Sequence, residues 1–475
     1  MQTSIAEQLA HFVSGTDFGD LPEDVILESK RILLDSLGCA IAGGNDTKGR
    51  IGIEYGRILG AGQRDATIFG ASHRSSIFGA AFANGELINA LDFDAILPPG
   101  HVSPYVLPGA LAVAEVDGVT GQALVKAIAV AHEMSNRFGK AMDYIRDTVD
   151  GKYTMPAVLG YNSTIFGATA AIMQLREASP DMTAHALSIA ASITPVNSHR
   201  SWIEHTPVST IKYTMAGPIT QTALTAAHMA LLGHRGDPRV FDDAEFGYRR
   251  FIGSTRWSPE ALTVDLGRSW RFQRENSFKL YPHCRAPHGL IDLLGGIIDE
   301  NALDATEIEA IRAWGEGHVD RPCWTVSEID DPVEAQFSTA HGLAVAAQRL
   351  PSSKIWQSRE VVFAPQVLDL MRKVSYQIHP DWASSIASDP AARPSRIEVD
   401  ARGRTFVAEL RYPRGTPGAA GGIAMTDQEL TDKFRTNADG IIPPHTVEDA
   451  ISSIMNLESV GDVSELLRSL GTSEH

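Results

Sequence analysis

The sequence predicts a mainly α-helical protein with a large all-helical domain, discontinuous in sequence, and a smaller α+β domain. Three observations predict this architecture. Helical patterns follow one another almost to residue 270, alternating strand patterns appear between residues 306 and 412, and helical patterns return after residue 422. We therefore place the helical domain at residues 1–272 and 423–475 and the α+β domain at residues 273–422. A chain of 475 residues, 43% of them hydrophobic, is long enough for two domains.

The helical domain is predicted from amphipathic and alanine-rich segments. Residues 24–43 place four apolar side chains on one face, and Gly43–Gly44 is expected to end that helix. The later segments are rich in Ala and Gly, which allow neighbouring helices to approach closely. These segments are residues 75–91, 104–117, 121–142, 164–176, 183–193 and 217–233. Such stripes are typical of helix packing, so we assign them no chemistry.

The α+β domain is predicted from alternating apolar and polar residues. Residues 306–313 have the pattern of a strand, and residues 395–412 that of a hairpin with a turn at 401–404. Helices are expected between these strands, at residues 337–349 and 364–373.

The chain is expected to return to the helical domain after a Pro- and Gly-rich connection at residues 413–422. Thr426 is the predicted N-cap of the next helix, with Glu429 as its capping-box partner. Residues 426–436 and 446–470 have helical patterns. We expect them to pack on the first part of the chain.

The composition excludes several classes of partner. A formal net charge of −17 provides no long-range basic field for nucleic acid or an anionic membrane surface. No apolar run reaches the roughly 18–20 residues that span a bilayer. The N-terminal residues 1–15 carry Glu and His within a helical pattern, which is unlike a signal peptide. An anionic substrate must therefore be attracted locally, by a few basic side chains in one pocket.

The cysteines are Cys39, Cys284 and Cys323, which are few, odd in number and far apart. This spacing argues against a disulfide framework and against an iron–sulfur cluster, and it fits a reducing cytoplasm. No glycine-rich strand–turn–helix motif for nucleotides is present in the sequence. We expect a cytoplasmic protein that needs no cofactor.

The most distinctive polar segment is residues 90–104, ALDFDAILPPGHVSP. Asp92 and Asp94 follow a predicted helix, where the helix dipole disfavours negative charge unless a partner is present. His101 is a candidate partner, and a histidine oriented by a carboxylate is suited to general acid–base chemistry near neutral pH. The alternative is a connector between helices with a capping Asp and an exposed His. Spacing alone favours the connector.

Other candidates are basic. Lys212 precedes the helix predicted at 217–233, where an anion is already favoured, although a lone lysine is usually a surface residue. Residues 274–290 concentrate basic side chains that suit carboxylate binding. These side chains include Lys279, Arg285 and His288. Cys284 and His288 lack a second pair at metal-ligand spacing, so we predict no metal site.

His341 lies in an apolar helical stretch, AQFSTAHGLAVAA. A lone histidine in such a run is more often a satisfied core residue than a functional one.

Together these segments resemble the MmgE/PrpD family along almost the whole chain. The matching segments, in order, are LLDSLGCAIAG (33–43), NALDFD (89–94), GHVSPYVLPGALAVAEV (100–116), AHEMSNRFGKA (131–141), GYNSTIFGATAA (160–171), IKYTMAG (211–217), FKLYPHCRAPHGLID (278–292), EAQFSTAHGLAVA (334–346) and LTDKF (430–434). The resemblance implies a helical domain, a smaller lid domain with the site between them, and usually a homodimer.

The resemblance also implies site residues. Asp92, His101, Lys212, Lys279 and His288 match polar positions of the family's motifs.

The chain departs from the family pattern at other positions. Ala95 and Ile96 replace polar residues, Asn162 and Met215 replace histidines, and His341 takes the place of a tyrosine. Several contacts to substrate are therefore expected to differ.

We expect a metal-independent lyase that acts on a small polycarboxylic acid by proton abstraction next to a carboxylate, with loss of water or carbon dioxide. His101, oriented by Asp92, is the expected acid or base, and His341 the expected second group. Lys212 and Lys279 are expected to hold carboxylates and stabilise developing charge. Further contacts to substrate are expected from His288, Asn162 and Arg285.

Two alternatives remain open at this point. One is an epimerase that uses the same proton abstraction, with His101 and either His341 or Lys212 on opposite sides of the carbon. The other is a non-catalytic member of the family that only binds a carboxylic acid.

Overall fold

The computed structural model describes residues 3–149, 152–153, 155–196, 199–418 and 422–472. It confirms the predicted fold class, because helices dominate and the one extended sheet has four strands in the described residues. None of the helices in the described ranges is long and apolar enough to cross a membrane.

The first part of the chain is helical, as predicted. Its helices are Ile5–Gly15, Glu23–Gly43, Thr47–Gly60, Ile77–Ile88, Ser103–Asp117, Gly121–Ala141, Thr164–Leu175, Pro180–Ile193, His199–Glu204, Ala216–Leu231, Tyr248–Ile252, Glu260–Thr263 and Phe272–Glu275. Two-residue strand pairs interrupt them: Ala66–Thr67 with Arg74–Ser75, Ile96–Leu97 with Gly100–His101, and Thr148–Val149 with Lys152–Tyr153.

Helix Thr47–Gly60 is not predicted by the sequence analysis, because glycine occupies its inner face where apolar side chains are usual. A Cβ at Gly56 would lie 2.7 Å from the carbonyl oxygen of Gly79 and 2.9 Å from Cβ of Ala83. The absence of side chains lets this helix pack directly on the backbone of helix Ile77–Ile88. That contact fixes the helix from which the Asp92 segment emerges.

The last helices are Asp427–Ala438, Pro444–Met455 and Ser464–Ser469. The predicted capping box of Thr426 and Glu429 is present. The predicted helix 446–470 is two helices, separated by a 3₁₀ turn at Leu457–Ser459.

Helix Asp427–Ala438 packs on helix Glu23–Gly43, where a Cβ at Gly38 would lie 3.1 Å from the ring of Phe434. Side chains from both chain ends share one buried hydrophobic cluster. The domain limits at residues 272 and 422 stay a prediction.

The four-stranded sheet consists of β1 (Ile308–Gly315), β2 (Val374–Ile378), β3 (Ser395–Ala401) and β4 (Arg404–Leu410). Its order is β4-β3-β1-β2, antiparallel except for the parallel pair β1 and β2. The predicted hairpin is β3–β4, and Arg402 and Gly403 take the positive φ of its two-residue turn. β2 is not predicted by the sequence analysis.

Helices cover this sheet and share a second hydrophobic cluster with it. The helices of this part are His288–Asn301, Pro322–Thr325, Pro332–Ala335, Thr339–Ala347, Arg359–Val362, Pro365–Met371 and Trp382–Ser388. The segment 276–288, which carries the predicted basic residues, runs between the helical part and helix His288–Asn301.

Candidate active site

The Asp92–His101 segment folds back on itself after helix Ile77–Ile88. Ile96 pairs with His101, and Leu97 with Gly100, in a short antiparallel turn that contains the two prolines. Backbone hydrogen bonds of 2.9 Å in both directions join Ile96 to Ser277. The segment is therefore held against the chain that carries Lys279.

Gly100 has a positive φ of 147°, and a Cβ there would lie 2.4 Å from the hydroxyl oxygen of Tyr161. Glycine at this position lets the tyrosine ring approach the turn. The ring centroids of His101 and Tyr213 are 4.4 Å apart, and those of Tyr161 and Tyr213 are 5.3 Å apart. Two tyrosines therefore form an aromatic wall beside the buried imidazole.

Asp94, and not Asp92 as predicted, orients His101. Nδ1 of His101 lies 2.6 Å from Oδ2 of Asp94, and both side chains are buried. The amide Nδ2 of Asn89 donates to Oδ1 of Asp94 at 3.1 Å. The amide oxygen Oδ1 of Asn89 accepts from Nζ of Lys48 at 2.8 Å. A carboxylate on Nδ1 places the proton on that nitrogen and leaves the Nε2 lone pair available to a substrate.

Asp92 is held by lysines. Nζ of Lys279 donates to Oδ2 of Asp92 at 2.6 Å and to its carbonyl oxygen at 2.7 Å. Asp92 is fully buried and takes a left-handed φ of 52°. Burial would raise the pKa of this carboxyl group, but Lys279, Lys212 and His101 together lower the pKa below its ordinary value.

Lys212 is also buried beside Asp92. Its Nζ lies 3.7 Å from Oδ1 of Asp92 and donates to the carbonyl oxygen of Ala90 at 3.0 Å and to Oε1 of Gln336. Burial lowers the pKa of Lys212 to about 8, and the Asp92 carboxylate limits that decrease. Nε2 of His101 approaches the same Oδ1 atom at 3.5 Å, so both groups face one position.

Lys433, on helix Asp427–Ala438, fixes the backbone around this pair. Its Nζ donates to Oδ1 of Asp35 at 2.6 Å, to the carbonyl oxygen of Phe93 at 2.7 Å and to that of Lys279 at 3.0 Å. Oδ2 of Asp35 accepts from the backbone N–H of Ala95 at 3.1 Å. We call Asp35 and Lys433 the backbone clamp, because together they hold residues on both sides of the Asp92–Lys279 pair.

His288 and Arg285 lie together, on the same segment as Lys279. Nη1 of Arg285 donates to Nδ1 of His288 at 3.1 Å, and Nε2 of His288 lies 3.2 Å from the carbonyl oxygen of His283. The imidazole therefore has a proton on Nε2, is neutral, and connects Arg285 to the backbone of His283 through its two ring nitrogens. Burial and the Arg285 charge lower the pKa of His288, which keeps it neutral.

His341 and Asn162 have other partners than the Asp92–His101 pair. His341 lies in the first turn of the buried helix Thr339–Ala347, where burial and His283 lower its pKa to about 3. The Asn162 amide donates to the carbonyl oxygen of Pro195. Neither side chain forms a hydrogen bond or ion pair with Asp92 or His101.

Sequence reasoning missed several site residues. Asn89, Gln336 and Lys433 lie in the family-like segments NALDFD, EAQFSTAHG and LTDKF, and Tyr213 lies in IKYTMAG. Only their position in these family-like segments could have indicated them, since no spacing rule connects residues so far apart in the chain.

The arrangement can transfer a proton in a closed, electrically balanced interior. Lys212 and Lys279 match the charges of Asp92 and Asp94, and His101 can take or give one proton. Among the described residues, no group of three or more His, Cys, Asp and Glu side chains is arranged to hold a metal ion. Cys39, Cys284 and Cys323 are buried and unpaired.

Comparison with known proteins confirms the family resemblance. The family model described as the MmgE/PrpD N-terminal domain matches residues 7–260, and that of the MmgE/PrpD C-terminal domain matches residues 281–459. Cis-aconitate decarboxylase of Homo sapiens is 27% identical, over 98% of this chain and 94% of that protein. The enzyme of the same name from Mus musculus is 26% identical, over 99% of this chain and 94% of that protein. One from Aspergillus terreus is 23% identical, over 99% of this chain and 96% of that protein.

The backbone clamp yields a stability prediction. Lys433→Met leaves the buried Asp35 carboxylate without its cation, so we expect the free energy of unfolding to fall by about 3–5 kcal/mol. Replacing both residues, as Asp35→Leu with Lys433→Met, is expected to restore at least half of the loss. Urea unfolding followed by circular dichroism measures both values.

The matched control is Lys140→Met, which removes the partly exposed ion pair with Glu275. It is expected to cost less than about 1 kcal/mol. An unfolding free energy for Lys433→Met equal to that of this control would contradict the role of the clamp.

Proposed function

The chain belongs to the MmgE/PrpD family, and on that premise we propose that it is a lyase that acts on a small polycarboxylic acid, with loss of carbon dioxide or water. The observation that carries the proposal is the buried Asp94–His101 pair, whose free Nε2 faces the lysine-held Asp92. The relatives named cis-aconitate decarboxylase make cis-aconitate the first substrate to test.

His101 is the proposed proton-transfer group. In a decarboxylation, the bond between a carbon atom and its carboxylate breaks, and the electron pair moves toward a neighbouring carboxylate. The carbanion-like carbon then takes a proton from Nε2 of the imidazolium. In a dehydration, Nε2 first removes the proton next to a carboxylate, and the imidazolium then gives this proton to the hydroxyl group, which leaves as water. Asp94 stabilises the imidazolium in both cases.

Lys212 is the proposed electrostatic group, since it faces the same position as Nε2. A buried ammonium there stabilises negative charge that builds on the intermediate. We also propose that no metal or organic cofactor is required, because fixed cationic side chains supply the positive charge. A cytoplasmic location is part of the proposal, supported by three buried, unpaired cysteines.

The first test measures turnover of cis-aconitate and of related di- and tricarboxylates, in deuterated water and with a chelator present. A new alkene or released carbon dioxide supports a lyase. Deuterium at a stereocentre without elimination would instead identify an epimerase, and no change with any acid would identify a binding protein.

His101→Ala is expected to lower kcat/KM on the true substrate by a factor on the order of 10²–10⁴, because proton transfer loses its group. Asp94→Asn is expected to lower kcat by at least about 10², because an amide donates to Nδ1 and moves the imidazole proton to Nε2. Steady-state kinetics measures both. His445→Ala, at an exposed position, is the control. Turnover by His101→Ala near that of this control would refute the assignment.

The pKa of Lys212 predicts a pH dependence. Because burial lowers this pKa to about 8, the ammonium loses its charge above that pH, and kcat/KM is expected to fall there. Lys212→Arg keeps its charge at any accessible pH, so any activity it retains should continue into the alkaline range. A pH–rate profile measures this. If kcat/KM of Lys212→Arg falls at the same alkaline pH as that of the wild type, another group causes the decrease.

We also propose a homodimer that buries helix Thr47–Gly60. Ile51, Tyr55 and Ile58 form one stripe on its outer face and are 54%, 44% and 72% exposed. Ile58→Asp is expected to convert dimer to monomer in light scattering after gel filtration, while Val407→Asp, exposed on β4, leaves the mass unchanged. A dimer that survives Ile58→Asp would locate the interface elsewhere.

A further inference from the structure

A second buried charge cluster lies where the helical part meets the sheet. Nε of Arg146 donates to Oε2 of Glu316 at 2.8 Å, and Nη1 of Arg393 donates to Oε1 of the same carboxylate. His318 approaches Oε2 at 3.3 Å. Glu316 is 1% exposed, and both of its oxygen atoms are occupied. The opposing arginines lower its pKa to about 2 despite burial, which by itself would raise it.

This cluster carries more positive than negative charge. Arg285 is also buried, at 3% exposure, and its Nε has no hydrogen-bond partner among the described residues. Its other contacts are to neutral groups, Thr416 and His288. Burial, followed by repulsion from Arg393, lowers the pKa of Arg285 to about 9. Arg146 and Arg393 share the carboxylate of Glu316. Arg285 forms no ion pair among the described residues, although the charges of Asp292 and Glu316 both act on it. Three buried guanidinium groups therefore face two carboxylates.

The site around His101 has no such excess. Lys279 is bound to Asp92, Asp94 is bound to His101, and Lys212 already donates to Ala90 and Gln336. A polycarboxylate brings two or three negative charges, which this balanced site cannot neutralise by itself. Burying those charges without cationic partners would be costly.

Arg285 is connected to the balanced site by a short chain segment. Gln336, which accepts from Lys212, also accepts at its backbone carbonyl from the N–H of Cys284 at 2.9 Å. Arg285 is the next residue, and it follows Lys279 by six positions on the same buried segment.

We propose that Arg285 and Arg393 form the binding site for a substrate carboxylate remote from the carbon at which His101 acts. This inference rests on the proposed lyase function and names the residues that select for substrate charge. Arg146 and Glu316 hold Arg393 in place across the two parts of the chain. Guanidinium groups bind carboxylates through two parallel hydrogen bonds, which gives direction as well as charge.

The consequence is selectivity by the number of carboxylates. A tricarboxylate places one group at His101 and Lys212 and another at the arginine pair. A monocarboxylate can satisfy only one of these positions. Arg393 is therefore a specificity residue, and its loss should raise KM more than it lowers kcat.

The test measures citrate and acetate binding by calorimetry, with citrate as the tricarboxylate probe and acetate as the monocarboxylate. Because Arg393→Gln alone can destabilise Glu316, the decisive comparison is Glu316→Gln against Glu316→Gln with Arg393→Gln. Glu316→Gln is expected to bind citrate at least as tightly as the wild type. The double variant is expected to bind it at least about tenfold more weakly, with little change for acetate.

Arg312→Gln is the matched control, since this arginine of the same sheet pairs with Glu398 and Asp400 on the partly exposed face. Its citrate affinity should equal that of the wild type. Equal citrate affinity in Glu316→Gln and the double variant would overturn the proposal.

The two proposals fail separately. If His101→Ala abolishes turnover but the double variant keeps the KM of Glu316→Gln for the true substrate, the lyase stands and the arginine site is wrong. If no polycarboxylate is turned over but citrate binding still requires Arg393, the arginine site stands and the lyase is wrong.

Discussion

The ion pair between Asp92 and Lys279 is the interaction on which the rest of the site depends. Both side chains are fully buried, so neither charge is tolerable without the other. Lys279 also binds the carbonyl oxygen of Asp92, which fixes a left-handed backbone that few non-glycine residues adopt. The aspartate then presents its second oxygen to Lys212 and His101. One pair thus sets the direction of the whole segment.

Local patterns were enough to predict the fold class, most helices and the β3–β4 hairpin, because periodicity and turn residues act over short distances. They did not predict helix Thr47–Gly60, whose buried face consists of glycines that fit against another backbone. In the site, Asp92, His101, Lys212 and Lys279 were found through motifs. The carboxylate that orients His101 was misassigned. Asp94 and Asp92 precede His101 by seven and nine residues, and only the fold of the turn at Ile96–His101 shows which of them reaches the imidazole.

Charge is distributed unequally between the buried clusters around His101 and around Glu316. In the proposed function, the first cluster transfers the proton and the second binds the substrate carboxylate. Around His101 the charges are matched, so a single proton changes the balance and the group can act as acid or base. Around Glu316 positive charge is in excess, so an anion completes the cluster. The helical part supplies Arg146 and the α+β part supplies Arg285 and Arg393. Any separation of the two parts would therefore disassemble the arginine cluster and would also remove Lys279 from Asp92.

The backbone clamp has a consequence for folding during synthesis of the chain. Asp35 and Lys433 are 398 positions apart, so the clamp closes one of the longest loops in the chain. A ribosome must complete the helix Asp427–Ala438 before the ammonium of Lys433 can reach its three oxygens. Domains emerging earlier can collapse during translation, yet the Asp92 turn stays without its anchor until residues 427–438 have been synthesised. A chain that ends before Lys433 therefore lacks the clamp that holds the backbone on both sides of the Asp92–Lys279 pair.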